Sequence, residues 1–382
     1  MNRPIKILYL ITDLGRGGAE RSITDLAIQF KNRENVTCVI GSLFTQNAFP
    51  ELEEKIRIEY LDYNLFSLRK KNYTKKYHDL VSSFKPDIIH SNRFLAEFLT
   101  AEKVYPNIKY VCHGRDNMVQ MQNFSVSTLF NKRRLLNYIE KTILIFRKYK
   151  KINTHFVANS EHTDAYFKCV LLKKDRKNVS IIYNAVDLSK FYFNQKRSIN
   201  KSRKIKLINI GSFQPKKNQQ FLIDIAILLK KAKIDFEFNL LGDGVEFEKV
   251  KEKIIKSDLE AYVKLRGVQY NVEEWLKDSD IYIHSACYEP FGIVLIEAMA
   301  SGLPLITLDG KGNRVLIEEG KNGFMIYDQD PQLFAAKILK LIEEPKLYEE
   351  MSEYSKRFVQ QFDIKKKADE YVKFYNKILN VN

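Results

Sequence analysis

The stretch Glu289-Pro290-Phe291-Gly292-Ile293-Val294-Leu295-Ile296-Glu297 sets two carboxylates eight positions apart, with a proline, a glycine and an apolar run between them. Pro290 disfavours helix at the residue before it and Gly292 loosens the turn, so Glu289 is expected in a loop. A helix is expected to start near Ile293 and to carry Glu297 in its first turn. The two carboxylates then flank a set of free backbone N–H groups. Those amides suit a phosphate and the carboxylates suit hydroxyls, so the expected ligand has both, as a nucleotide-sugar does. The alternative for the same pair is a favourable interaction with the helix dipole alone.

Other strand ends carry comparable chemistry. Asp13-Leu14-Gly15-Arg16-Gly17-Gly18-Ala19-Glu20-Arg21 lies between a strand, Ile5–Ile11, and an amphipathic helix reaching about Phe30. A glycine-rich turn there lets backbone approach a ligand at the helix N-terminus. Its spacing is not that of a GxGxxG dinucleotide fingerprint, so a tight strand-to-helix turn stays as the alternative. Lys109–Cys112 is a strand ending at His113, a position where open α/β sheets bind ligands, with a purely structural histidine as the alternative. Further on, Ile205–Ile210 is followed by Gly211-Ser212-Phe213-Gln214-Pro215-Lys216-Lys217-Asn218, and Phe236–Leu241 by Gly242-Asp243-Gly244. Asp278-Ser279-Asp280 resembles a DxD metal motif but opens a strand, away from that edge, and reads as a helix-to-strand turn.

Strand-like and helix-like segments alternate throughout, which argues an α/β protein with parallel sheets. A chain of 382 residues exceeds the size at which a single core stops growing, so two domains are expected. The polar, basic stretch 189–203 reads as the linker between two doubly wound domains with a cleft between them. Hydrophobic content of 45% with 29% charged residues is globular. The four cysteines, Cys38, Cys112, Cys169 and Cys287, show no CxxC spacing, as expected of buried thiols in a reducing compartment. The first apolar run contains Lys6 and reads as a strand, not a signal peptide, and no run approaches the length of a membrane span. A cytoplasmic location follows as an expectation.

The net charge of +16 is unevenly placed. Residues 1–200 hold 34 Lys and Arg against 19 Asp and Glu, whereas residues 201–382 hold 29 against 28. The basicity belongs to the first half and favours an anionic partner there: a membrane surface, a lipid-phosphate acceptor or nucleic acid. Asn131–Lys151 reads as a long helix with Leu135, Ile139, Ile143 and Phe146 on one face and basic flanks. Such a helix suits an anionic membrane surface, or else packs its apolar face on the sheet with a solvated basic exterior.

Taken together these residues resemble the retaining glycosyltransferases of family 4, which have the GT-B fold. The most specific element is the opening stretch, similar to the family's E-x7-E motif, continued by Ala298-Met299-Ala300-Ser301-Gly302-Leu303-Pro304. Gly17-Gly18-Ala19-Glu20-Arg21, Asn159-Ser160-Glu161, Asn184-Ala185-Val186-Asp187, Lys217-Asn218, Leu241-Gly242-Asp243-Gly244 and Asn322-Gly323 match as well. The resemblance implies two Rossmann-like domains: an acceptor-binding domain at 1–188 and a nucleotide-sugar-binding domain at 204–363. The last helix, 364–382, is expected to pack back on the first.

The resemblance also implies roles. Glu289 would hold hydroxyls of the transferred sugar and Glu297 the ribose hydroxyls. Backbone amides of Gly292, Ile293 and Val294 and the side chain of Lys217 would bind the diphosphate, with no metal or other cofactor required. Gly17 and Gly18 would approach the diphosphate and sugar, His113 would hydrogen-bond the sugar, and Val268-Gln269 would lie beside the base. Gly242 and Ser212 complete the implied donor site. Ser212 stands where the family commonly has Arg, which leaves more of the phosphate charge to Lys217, Lys216 or Arg16, and Ala185 stands where Gly is frequent.

The implied reaction moves a sugar from a nucleotide diphosphate donor, UDP foremost, to a saccharide or lipid-linked acceptor in cell-surface glycan synthesis. The enzyme would sit in the cytoplasm, with peripheral contact at the inner membrane face through 131–151. A nucleotide-sugar epimerase of related fold and a basic nucleic-acid-binding protein are the alternatives. The first would need acid/base residues other than the double-Glu stretch, and the second leaves both carboxylates without a role.

Overall fold

The computed structural model describes residues 3–15, 17–63 and 71–380. The chain divides into two units, residues 1–184 with 364–382, and residues 185–363. In the first, the elements are β1 (Ile5–Ile11), α1 (Gly18–Lys31), β2 (Val36–Ser42), β3 (Ile58–Tyr60), α2 (Lys71–Phe84), β4 (Ile88–Asn92) and α3 (Phe94–Leu99). They continue with β5 (Lys109–Gly114), α4 (Val126–Leu129), α5 (Lys132–Leu144), β6 (Thr154–Ala158), α6 (Glu161–Val170) and β7 (Val179–Ile181). In the second come β8 (Ile205–Ile210), α7 (Gln219–Lys231), β9 (Phe236–Leu241), α8 (Phe247–Lys256), β10 (Val263–Gly267), α9 (Val272–Lys277) and β11 (Ile281–His284). Then follow α10 (Ile293–Ala300), β12 (Leu305–Leu308), β13 (Gly323–Ile326), α11 (Pro331–Glu343) and α12 (Pro345–Phe358), before α13 (Ile364–Leu379) returns to the first unit.

The first sheet has seven strands in the order β3-β2-β1-β4-β5-β6-β7, and the second six in the order β10-β9-β8-β11-β12-β13. Every pairing in both sheets is parallel. A parallel sheet is covered on both faces, so its strands read as nearly continuous apolar runs. In β1 the last five residues, Ile7 to Ile11, are all fully buried. In both sheets the strand order reverses beside the first strand of the unit, between β1 and β4 and between β8 and β11. Ligands of open α/β sheets bind at such points, beyond the strands' carboxyl ends.

Helix starts follow local side-chain chemistry. Asn131 caps α5 by accepting from the Arg134 amide at 3.1 Å, and Ser160 caps α6 by accepting from the Thr163 amide at 3.3 Å. Pro331 opens α11 behind Asp330, whose carboxylate accepts from the Gln332 and Leu333 amides. The helix expected over 131–151 is α5 continued by a π-helical turn, Ile145–Tyr149.

Its basic exterior needs correcting. Lys148 is fully buried, 2.7 Å from the Glu97 carboxylate and 2.6 Å from the Thr100 hydroxyl. Lys141 turns inward as well and donates to the Met121 carbonyl at 2.7 Å. These lysines sit on the inward face because each finds oxygen partners there, while Leu136, Ile139 and Phe146 are exposed.

Residues 189–203, read as a linker, are folded onto the second unit. Phe191 and Ile199 are buried, and the buried Arg197 guanidinium donates to the Ser301, Ser279 and Leu276 carbonyls. The cysteines are all free; Cys112 is buried but Cys169 is exposed, unlike the buried thiol expected there. No helix among the described residues is long and apolar enough to cross a membrane.

Candidate active site

In the second unit, the residues singled out from the sequence gather at the carboxyl edge of the sheet. Ser212 and Lys217 follow β8, Gly242 follows β9, Val268 and Gln269 follow β10, and Glu289 and Gly292 follow β11. Lys217 ends a short 3-10 turn, Pro215–Lys217, and Asn218 then takes a left-handed conformation (φ +52°) into α7. The β11 loop holds that turn: the Ser285 hydroxyl donates to the Lys217 carbonyl at 2.7 Å, and the Cys287 amide to the Lys216 carbonyl at 2.9 Å.

The Lys217 ammonium donates to the Glu289 carboxylate across the switch between β8 and β11. Glu289 is only 8% exposed. Burial by itself raises a carboxyl pKa, but the Lys217 charge and the neighbouring His284 outweigh it and hold Glu289 at about 2. His284 Nε2 lies 3.2 Å from the same carboxylate, without the alignment of a full hydrogen bond. Burial pushes the His284 pKa down, only partly opposed by Glu289, so the ring is neutral. His284 was missed in the sequence; its one signal was its place at a strand end, five residues before Glu289.

The loop after β12 fixes the Glu289 backbone. Its amide donates to the Gly310 carbonyl at 2.8 Å, and its carbonyl accepts from the Gly312 amide at 3.0 Å. In that loop Asp309 is ion-paired with Lys311 and Arg314 at 2.8 and 2.7 Å.

Gly292 caps α10 in a left-handed conformation (φ +99°), and an added Cβ would lie 2.9 Å from Leu295 Cδ1. A side chain there would be strained in backbone and in space. No side chain caps α10, so the amides of Ile293 and Val294 have neither a cap nor a preceding turn to bond. Glu297 departs from expectation. Because α10 begins at Ile293, Glu297 lies in the second turn, where it is 5% exposed. Gly242 (φ +129°) is needed for close approach: an added Cβ would come within 2.1 Å of the Gly211 carbonyl oxygen. Val268 is exposed, and the Gln269 side chain donates to the Arg266 carbonyl at 2.6 Å.

In the first unit, Gly17 and Gly18 form the uncapped start of α1. Glu20, in its first turn, is 1% exposed and pairs with the Arg93 guanidinium at 2.8 Å, across the switch between β1 and β4. Burial raises the Glu20 pKa, and Arg93 opposes that rise. Arg16 lies outside the described residues. His113, in β5, is fully buried. Its Nδ1 is 3.3 Å from both His90 Nε2 and the Tyr371 hydroxyl, and its Nε2 has no hydrogen-bond partner. Burial, then the nearby Arg115 charge, pushes its pKa well down. Arg115, which lies outside the family motifs, joins two of them, Asn159-Ser160-Glu161 and Asn184-Ala185-Val186-Asp187. It donates to Asn184 and to the Ser22 hydroxyl at 2.8 Å, and its carbonyl accepts from Asn159 at 3.1 Å.

Two doubly wound parallel sheets, each with polar groups and uncapped helix starts at its switch point, define a nucleotide-binding class of protein. Comparison with known proteins narrows it. Residues 16–190 match the family "Glycosyltransferase Family 4" and residues 191–358 match "Glycosyl transferases group 1". The chain belongs to the GT-B glycosyltransferases of this group 1/family 4 type.

Among similar proteins is the N-acetyl-alpha-D-glucosaminyl L-malate synthase of Bacillus anthracis, 30% identical over 54% of this chain and 56% of that protein. Another is the UDP-N-acetylglucosamine–peptide N-acetylglucosaminyltransferase GtfA subunit of Streptococcus pneumoniae, 31% identical over 46% of this chain. The chain thus spans 36% to 56% of the length of these curated relatives. The crystal structure of Anabaena HepE in complex with UDP-glucose superposes with a TM-score of 0.79, at 21% identity, covering 98% of this chain and 100% of that one. That likeness establishes the fold.

Proposed function

We propose that this chain transfers a sugar, with retention of configuration, from a UDP-sugar to a saccharide or lipid-linked acceptor in cell-surface glycan synthesis. The observation that carries the reading is the Lys217–Glu289 pair at the switch point, beside the uncapped start of α10. Glu289 is an ionised acceptor suited to sugar hydroxyls, and Lys217 has further N–H donors for phosphate oxygens. The amides of Gly292, Ile293 and Val294 add fixed dipoles for the leaving diphosphate, and Glu297 holds the ribose hydroxyls. Ser212 and Gly242 line the diphosphate side, with Val268 and Gln269 beside the base. Gly17 and Gly18 are assigned to diphosphate and sugar, and His113 to a hydrogen bond with the sugar.

The acceptor hydroxyl attacks the anomeric carbon on the face that the diphosphate leaves. The new C–O bond forms as the old one breaks, and the hydroxyl proton passes to the departing phosphate oxygen. Charge grows on that phosphate, where Lys217 and the helix amides stabilise it without a metal ion. The HepE complex with UDP-glucose supports a UDP donor.

The reading places the enzyme in the cytoplasm, at the inner face of the cell membrane. The segment 119–147 supports such contact. Phe130 is 85% exposed and Val126 72%, and Leu129, Leu136, Ile139 and Phe146 are exposed too. Lys132, Arg133 and Arg134 lie exposed beside them. Apolar side chains flanked by basic ones suit an anionic lipid surface.

Incubation with labelled UDP-sugars and lipid extracts tests the reading. Transfer of label by the wild type, lost in Lys217→Ala and Glu289→Ala with the fold intact, is expected. An isomerised free donor, or wild-type transfer by both variants, would overturn it.

A further inference from the structure

The first unit carries a buried polar chain of which the proposed roles use only the His113 end. Tyr9 and Tyr375 hydroxyls lie 2.7 Å apart, Tyr375 OH is 2.7 Å from His90 Nδ1, and His90 Nε2 is 3.3 Å from His113 Nδ1. Tyr9, His90, His113 and Tyr375 are each fully buried. Such a chain has two self-consistent polarities. Either the protons point from Tyr375 toward His113, leaving Nε2–H on His113, or all reverse, leaving Nε2 bare.

Tyr371, one turn before Tyr375 on α13, breaks this symmetry. Its hydroxyl reaches His113 Nδ1 at 3.3 Å, the one hydrogen bond that hydroxyl makes among the described residues. A buried phenol with an imidazole nitrogen as its partner satisfies its O–H by donating to it. His113 Nδ1 must then be an acceptor, and the ring proton must sit on Nε2. That nitrogen is buried and has no hydrogen-bond partner among the described residues, so its proton is left uncommitted within the first unit. The low pKa of both histidines agrees, since a neutral ring has to choose between the two nitrogens.

We infer that Tyr371 is a positioning residue: it fixes His113 as the Nε2–H tautomer, a hydrogen-bond donor toward the transferred sugar. The tautomer rests on the geometry alone, whereas the sugar as its target rests on the function proposed above. Nothing in the chain of sequence near His113 supplies this control; it comes from a helix more than 250 positions away.

Two measurements on the full-length protein decide the point. Nitrogen-15 spectra of histidine-labelled protein, with the His113 signals assigned by loss in His113→Gln, are expected to show only the Nε2–H form in the wild type. Tyr371→Phe is expected to show both forms and to lower kcat roughly two- to fivefold, with the donor KM unchanged, as when a competent form becomes one of two. The same change made in a His113→Ala background is expected to have no further effect on kcat. An Nδ1–H tautomer in the wild type, or Tyr371→Phe with a single unchanged tautomer, would overturn the inference. A wild-type Nε2–H tautomer together with full turnover in His113→Ala would leave the positioning intact and instead remove His113 from the proposed donor site.

Discussion

The Lys217 ammonium donates to the Glu289 carboxylate although 72 residues separate them. Each follows a different strand of the second sheet, and those strands, β8 and β11, are the pair where strand order reverses. Loops diverge to opposite faces at such a point, so a small crevice opens and two oppositely charged ends can meet. The two side chains are 19% and 10% exposed, which makes the pair partly desolvated and each half costly to leave alone.

Removing one partner should therefore be worse than removing both. Lys217→Met leaves the Glu289 carboxylate with neutral His284 and is expected to cost about 3 kcal/mol. The double variant Lys217→Met/Glu289→Gln should recover more than half of that. Urea unfolding of the three proteins checks it, and equal losses for single and double variants would count against a coupled pair.

The pair also sets a pH dependence. The Glu289 carboxyl is lowered from 4.5 to about 2, so its stabilising contribution is fully present above about pH 4.5. It is lost as pH falls through that window toward 2, because the unfolded state then binds the proton that the folded state refuses. At full strength the difference corresponds to about 3 kcal/mol. Glu289→Gln should flatten the acid side of the stability curve between pH 4.5 and 2.5, as measured by denaturant unfolding at each pH.

Gly292→Ala tests the backbone at the head of α10. Its left-handed φ of +99° and the 2.9 Å approach to Leu295 predict a loss of about 1–2 kcal/mol. Because the uncapped amides would shift with it, donor turnover should fall at least about tenfold, the effect of misplacing one oxyanion-type donor. Steady-state kinetics beside a melting curve separates the two effects.

Lys148 supplies a contrasting case. Its buried pair with Glu97 sits in the first unit among Ser91, Thr100 and Tyr110, with no link to the candidate site residues. Lys148→Ala should destabilise by about 3–5 kcal/mol. At temperatures where the variant remains folded, its donor KM should match the wild type.

At the surface, Phe130→Ser with Ile139→Ser should abolish sedimentation with vesicles rich in anionic lipid. Lys132→Ser with Arg133→Ser should weaken it by about 2 kcal/mol and reduce its salt sensitivity, at about 1 kcal/mol per basic residue. Transfer to a soluble acceptor should be unchanged in both, and retained sedimentation would remove the membrane from the proposed location.

Much of this architecture could be read from residue types. The Pro290-Phe291-Gly292 break marks where α10 begins, and the alternation of apolar strands with amphipathic helices marks two parallel sheets. What escaped the sequence depends on partners far along the chain. Lys148 looks like a solvated charge until Glu97, 51 positions earlier, is placed beneath it. Arg197 looks like part of a polar linker until four carbonyls from the second unit are found around its guanidinium. His284 lies close to the motif, but only folding the loop back turns it toward Glu289. The assignment of Glu297 to the first turn failed by one residue, since the helix begins at Ile293 and its first turn ends before Glu297.

The return of α13 to the first unit has a consequence for how this protein is made. Tyr9, His90 and His113 leave the ribosome before the second unit, but Tyr371 and Tyr375, which complete their hydrogen-bond chain, leave it after that unit. The whole second unit is synthesised in between. Domain-by-domain folding during synthesis normally finishes the leading domain first. Here the order of availability is inverted: the second unit has all its residues before the first receives α13, so the first unit cannot complete this buried hydrogen-bond chain until the second unit has been synthesised.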